Sequence, residues 1–164
     1  MSKKINGNSF SKKVAELNRK KVASTKVVNL SEFREASKNM DPKTILVVDD
    51  EPVVRNAIKR IFEKEEYKVL LAQNGMEFSK IIEETIPDLI ILDVNLPWVS
   101  GYELCELLKN HPKLSHLPVA FISGNTAEED INKGLEVGAE EYITKPFDVD
   151  EIQRKVSELL LKSS

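Results

Sequence analysis

The sequence predicts an α/β fold, a doubly wound sheet of five parallel strands. Three observations predict it. Short apolar runs alternate five times with longer amphipathic stretches between Thr44 and Leu161. The connections between them are short. The first run, Thr44–Val48, is short and apolar, as expected of a buried strand, and the five repeats imply a parallel sheet covered on both faces.

Each element has its own signal. Thr44–Val48 is a short apolar run, hence a buried strand. Glu51–Glu65 places Val54, Ile58, Ile61 and Phe62 on one helical face, with Pro52 in the first turn, where a missing N–H costs nothing. Lys68–Ala72 reads as the second strand and Gly75–Glu84 as the second helix. Asp88–Leu92, bounded by Pro87, is the third strand. Tyr102–Lys109 is a helix with Leu104, Leu107 and Leu108 facing inward. Leu117–Ile122 is the fourth strand. Thr126–Val137 is a helix that ends at Gly138, the residue expected in a left-handed cap. Glu141–Thr144 is the fifth strand. Asp148–Leu161 closes the series as a helix. Asp148 and Glu151 are spaced for a capping box, and Ile152, Val156, Leu159 and Leu160 face inward.

The 164 residues are 41% hydrophobic, enough for one domain with a core plus an extension. Charge divides them. Residues 1–43 carry 11 Lys/Arg against 4 Asp/Glu, whereas residues 44–164 carry 13 against 23. A basic, flexible N-terminal extension thus precedes an acidic body. In the extension, Phe10, Val14 and Leu17 have helical spacing, and Asn29 with Glu32 resembles a capping box. Neither segment buries enough apolar surface to order itself. Asp41-Pro42 breaks the chain before the body.

Composition also excludes. No apolar run approaches the roughly 20 residues that span a bilayer, and no secretory signal opens the chain, so a cytoplasmic protein is expected. Cys105 is the single cysteine and can form no intrachain disulfide; it reads as a small core residue. His111 and His116 lie in a Pro-flanked loop with no second ligand type, so no metal site is expected there.

In open parallel sheets, ligands bind beyond the carboxyl ends of the strands. Asp49 and Asp50 follow the first strand and Asp93 the third. Ser123 follows the fourth, and Lys145-Pro146 the fifth. Three carboxylates, a hydroxyl and an ammonium would converge on one rim. At an effective dielectric of about 20, two carboxylates about 5 Å apart repel by roughly 3 kcal/mol. Lys145 offsets part of this, and a divalent cation would offset the rest. All-oxygen ligands favour Mg²⁺, which takes one or two carboxylates plus a phosphate oxygen. Asp93 is then a candidate nucleophile toward a phosphoryl group, with Lys145 and Ser123 as catalytic partners at its other oxygens.

With these positions together, residues 44–162 resemble the receiver domain of bacterial two-component response regulators, of the chemotaxis-regulator type. The pieces that carry the resemblance are ILVVDDEP (45–52), DLIILDVNLPWVSG (88–101), VAFISGNT (119–126) and GAEEYITKPF (138–147). The resemblance implies a flavodoxin-like (βα)5 fold with strand order 2-1-3-4-5. It implies Asp93 as phosphoacceptor and a Mg²⁺ site of Asp50 directly, Asp49 through water, Asp93, and the backbone carbonyl of Asn95. It implies Ser123 and Tyr142 as the switch pair, Lys145 as the phosphoryl partner, and a cis peptide bond before Pro146. Gly124 stands where the family more often has Ala, and Trp98 reads as an exposed aromatic close to Asp93. Asn95 and Asn125 fall at the family's variable positions that tune phosphate lifetime.

The implied partners are a histidine kinase or phosphotransfer protein. An output protein would be met through the face of the fourth helix, fifth strand and fifth helix. The body leaves no room for an output domain after the fifth helix, so a single-domain regulator acting by phosphorylation-dependent protein contact is expected, or a phosphorelay intermediate. It would be no enzyme beyond its own phosphotransfer and dephosphorylation. The main competitor is a Mg²⁺-dependent phosphatase of the haloacid dehalogenase type. That type expects Asp-x-Asp on the first strand, where this chain has adjacent Asp49-Asp50, and it carries a cap domain. A P-loop NTPase is rejected because G-x-x-x-x-G-K-[ST] is absent. Nucleic acid is not expected as a partner, since no recognition motif accompanies the basic extension.

Overall fold

The computed structural model describes residues 41–163. The expected features of the extension, namely the Phe10–Leu17 helix and the Asn29–Glu32 box, lie outside the described residues. Five strands, β1 (Thr44–Val48), β2 (Lys68–Ala72), β3 (Leu89–Asp93), β4 (Val119–Ser123) and β5 (Glu141–Thr144), form one sheet in the order β2-β1-β3-β4-β5. All four pairings are parallel. The helices are α1 (Pro52–Lys64), α2 (Gly75–Glu84), α3 (Gly101–Asn110), α4 (Glu128–Glu136) and α5 (Val149–Lys162).

Strand periodicity sorts the core into two layers. Ile45 and Val47 of β1 face one way, with Ile58 and Phe62 of α1 and Ile152, Val156, Leu159 and Leu160 of α5. Leu46 and Val48 face the other, with Phe78 of α2 and Leu104, Cys105 and Leu108 of α3. Ile131, next to Asp130 in α4, packs against the same layer. Both faces are covered, which is why the central strands β1, β3 and β4 are buried along their whole length. Cys105 is buried, and burial pushes its thiol up to about 11, so it stays a neutral core residue.

Several expectations need correction. Leu107 does not face inward. It is 66% exposed, because the buried stripe of α3 runs through Gly101, Leu104, Cys105 and Leu108. At α5, Asp148 accepts the Glu151 N–H at 2.9 Å, but the Glu151 carboxylate pairs with Lys155 at 3.3 Å. A complete capping box instead opens α3, from Ser100 and Glu103. The fourth strand starts at Val119 rather than Leu117, and its helix at Glu128 rather than Thr126. Gly138 has φ +106, as the left-handed cap requires.

The end of the sheet opposite the carboxyl rim is held by a polar clasp. Lys109 Nζ donates to Leu117 O at 2.7 Å and to Glu140 Oε1 at 2.6 Å, while Glu140 Oε2 accepts the Val119 N–H at 2.7 Å. Glu140→Ala would strand the Val119 amide and take from Lys109 its ion-pair partner, leaving the lysine only Leu117 O. We expect a loss of about 2 kcal/mol in urea unfolding.

Candidate functional site

The carboxyl ends of β1, β3, β4 and β5 bring the predicted residues together. Asp49, Asp50 and Asp93 offer carboxylate oxygens that lie within 4.8 Å of one another. Asp49 is fully buried and Asp93 is 3% exposed, whereas Asp50 is exposed. Strand β5 ends with the Lys145 N–H on Ser123 O at 2.7 Å, and the Lys145–Pro146 bond is cis, as expected.

Lys145 threads its ammonium among the acids. Nζ donates to Asp49 Oδ2 at 2.9 Å and lies 3.6 Å from Asp93 Oδ2. It also reaches Glu51 Oε1 at 3.5 Å. Burial alone would lower the lysine pKa, but the bond to Asp49 and the charges of Asp93, Asp49 and Glu51 raise it above its ordinary value. Asp93 is pushed up to about 6, first by burial and then by Asp49 and Asp50. Lys145 and the Asn95 N–H, 3.2 Å from Asp93 Oδ1, oppose that rise. Removing the lysine charge would leave the fully buried Asp49 carboxyl without its cationic partner. Lys145→Gln is therefore expected to cost about 3 kcal/mol in metal-free urea unfolding at pH 7.5, and less with excess magnesium.

Ser123 is fully buried, and its Oγ accepts the Asn125 N–H at 3.1 Å. Asn125 is a junction. Its backbone oxygen accepts the Tyr142 hydroxyl at 2.8 Å, and its side chain accepts the Asn95 amide at 3.2 Å. Tyr142 is turned inward, its ring against Phe121 at 6.0 Å between centroids. Gly134 of α4 makes room for it, since a Cβ there would lie 2.8 Å from Tyr142 Cδ2.

Sequence reading missed two contributors. Glu51 orients Asp49 through its N–H, 2.8 Å from Oδ1, besides meeting Lys145. Arg55 Nη1 donates to Asp49 O at 2.7 Å, fastening the end of β1 to α1. The only advance signal for Glu51 was a third acid in series after Asp49-Asp50. Trp98 also differs from expectation. It is half-buried, with its indole against Phe78 at 6.3 Å between centroids.

This donor set fits a magnesium ion. Its side-chain ligands are all carboxylate oxygens, and the two buried acids share a single lysine.

A family model described as the response regulator receiver domain matches residues 45–157. The chain belongs to the response regulator receiver family. Similar proteins include the aerobic respiration control protein ArcA of Escherichia coli K12, 39% identical over 124 residues, which cover 76% of this chain and 51% of ArcA. The phosphate regulon transcriptional regulatory protein PhoB of Pseudomonas aeruginosa is 38% identical over 121 residues, covering 74% of this chain and 53% of PhoB. Among solved structures, the signal receiver domain of a signal transduction histidine kinase from Syntrophus aciditrophicus superposes with a TM-score of 0.68. It is 36% identical, and the match covers 73% of this chain and 91% of that one.

The receiver chain spans about half the length of these two curated regulators. Receiver domains of two-component systems are phosphoacceptors, bind Mg²⁺ through acidic residues and interact with histidine kinases or phosphotransfer proteins. Among the described residues, no helix is long and apolar enough to cross a membrane.

Proposed function

We propose that residues 44–162 form a receiver unit that takes a phosphoryl group from a phosphohistidine onto Asp93 and signals through phosphorylation-dependent protein contact. The charge reversal near Asp41 supports treating residues 1–43 as a separate extension. The observation that carries the proposal is the rim itself: three clustered carboxylates facing one lysine. Membership in the receiver family favours this reading over a haloacid dehalogenase phosphatase.

Asp50 directly, Asp49 through water, Asp93 and the Asn95 carbonyl would hold the magnesium. When bound, the ion supplies charge neutralisation for phosphate oxygens. Burial and the neighbouring Asp49 raise the Asp93 pKa, making it more basic than an ordinary carboxylate. A carboxylate oxygen of Asp93 attacks phosphorus. The new P–O bond forms as the donor P–N bond breaks, and the electron pair leaves with the imidazole nitrogen. Lys145 exchanges part of its contact with Asp49 for a phosphoryl oxygen, and the Ser123 hydroxyl takes another. Turning toward the phosphoryl group, Ser123 releases the Asn125 N–H. Asn125 also holds the Tyr142 hydroxyl, so the start of α4 and the adjoining face of β5 and α5 would repack. An output protein that prefers the second packing would bind there.

Calorimetry tests the electrostatic core of the proposal. Magnesium chloride and beryllofluoride, a phosphoryl mimic, are expected to bind jointly and each to tighten the other. Independent binding, or none, would reject it.

A further inference from the structure

The β3–α3 loop carries Asn95 and is closed at its base. Asn95 and Ser100 form an antiparallel bridge, and the Gly101 N–H donates to Val94 O at 2.8 Å. A Cβ at Gly101 would collide with Asp93 O, so only glycine lets the returning strand approach the phosphoacceptor backbone. Beyond this base the loop runs through Leu96, Pro97 and Trp98. There Trp98, the single tryptophan of the chain, lies against Phe78 and Gly75 of α2.

Gly75 is shaped for this contact. A Cβ on it would lie 2.8 Å from Trp98 Cε3, 3.1 Å from Cζ3 and 3.3 Å from Cδ2. The indole therefore uses space that any other residue at position 75 would fill. Its Nε1 is buried with no hydrogen-bond partner among the described residues. An indole N–H normally finds an acceptor when buried, so apolar contact alone holds this seat, against an opposing polar cost.

We propose that Trp98 is a positioning residue for the magnesium site. Seated on Gly75 and Phe78, the indole ties the hairpin tip to the first turns of α2. The closed base transmits that position to Asn95, whose N–H bonds Asp93 Oδ1 and whose carbonyl is the proposed metal ligand. Residues of α2 that never touch the phosphoryl group thus set the geometry of the carbonyl. This inference rests on the magnesium-dependent phosphoacceptor reading above.

The full chain tests it with four variants: Gly75→Ala, Trp98→Phe, Trp98→Ala and the Gly75→Ala/Trp98→Ala pair. Gly75→Ala adds one methyl at a helix start, where alanine is the better helix former, so α2 itself is not weakened. In metal-free protein the displaced indole is expected to shift its emission to the red. Magnesium affinity, measured by calorimetry with beryllofluoride present, is expected to fall about fivefold or more in Gly75→Ala and Trp98→Ala. Trp98→Phe keeps a ring over Gly75 without the orphaned N–H and should retain full affinity. The pair should lose no more than Trp98→Ala alone, because the added methyl then meets nothing.

An unshifted emission in Gly75→Ala would show that the seat does not depend on that space and would overturn the proposal. A red shift with unchanged magnesium affinity would overturn the positioning role alone. Absence of joint uptake by the unsubstituted chain would overturn the phosphoacceptor reading, and this role with it.

Discussion

Asp93→Asn protein, incubated with magnesium and a small acyl-phosphate donor, is expected to take up no hydroxylamine-labile phosphate. The unsubstituted chain should label to near one phosphoryl group per molecule. An amide oxygen cannot displace a leaving group as a carboxylate does, and among the described residues no neighbour is placed to substitute for it. Asp49 is fully buried, with one oxygen on Lys145 and the other on the Glu51 N–H. Asp50 is exposed and is the acid expected to contact the metal. The loss should therefore be complete, and substantial labelling of the variant would place the acceptor elsewhere. Lys145→Gln serves as a contrast. It keeps the nucleophile and should label slowly, since phosphoryl transfer depends on positioned charge more than on proton chemistry.

The same Asp93→Asn substitution is expected to stabilise the fold at neutral pH. Burial and Asp49 raise the Asp93 pKa from 3.8 to about 6. Between these two values the folded state holds a proton that the unfolded state has released. Stability attributable to Asp93 therefore falls as pH rises from about 4 to about 6, and the cost is fully present above that. A shift of this size corresponds to roughly 3 kcal/mol, and a fraction of that would raise Tm by several degrees. The melting curves of the variant and the unsubstituted chain should separate above pH 6 and converge below pH 4. Magnesium should narrow the gap at pH 7.5 by stabilising the unsubstituted chain more, through preferential binding to its folded state. Parallel curves across the whole range would mean that Asp93 is not strained by its setting. On this account the proposed phosphoacceptor would weaken the fold for the same reason that it would react: a carboxylate has been taken out of water beside another.

Much of this was legible in sequence because it follows from local pattern. The limits of β1, β2, α2 and β5 come from apolar runs and turn residues, which do not depend on what packs against them. The site was legible for a related reason. In a parallel sheet every strand ends on one rim, so knowing the strand ends is enough to know that Asp49, Asp50, Asp93, Ser123 and Lys145 meet. Where local pattern is ambiguous the reading failed. Leu107 sits among leucines at helical spacing, and only the rotation of α3 against the sheet decides that it faces water. The end of α1 carries no glycine; Glu66 takes φ +66 there while the Tyr67 N–H closes onto Phe62 O at 3.1 Å.

By itself, then, the sequence determined the alternation of elements, the residues at the rim and the sign of the charge there, since each is set by residue type and spacing along the chain. Tertiary structure alone decided which acid pairs with Lys145, that Asn125 links the Ser123 hydroxyl to Tyr142, and that Trp98 lies on Gly75 instead of in water. The Lys145–Asp49, Asn125–Tyr142 and Trp98–Gly75 contacts join residues far apart in the chain, and their distances depend on how separate elements pack.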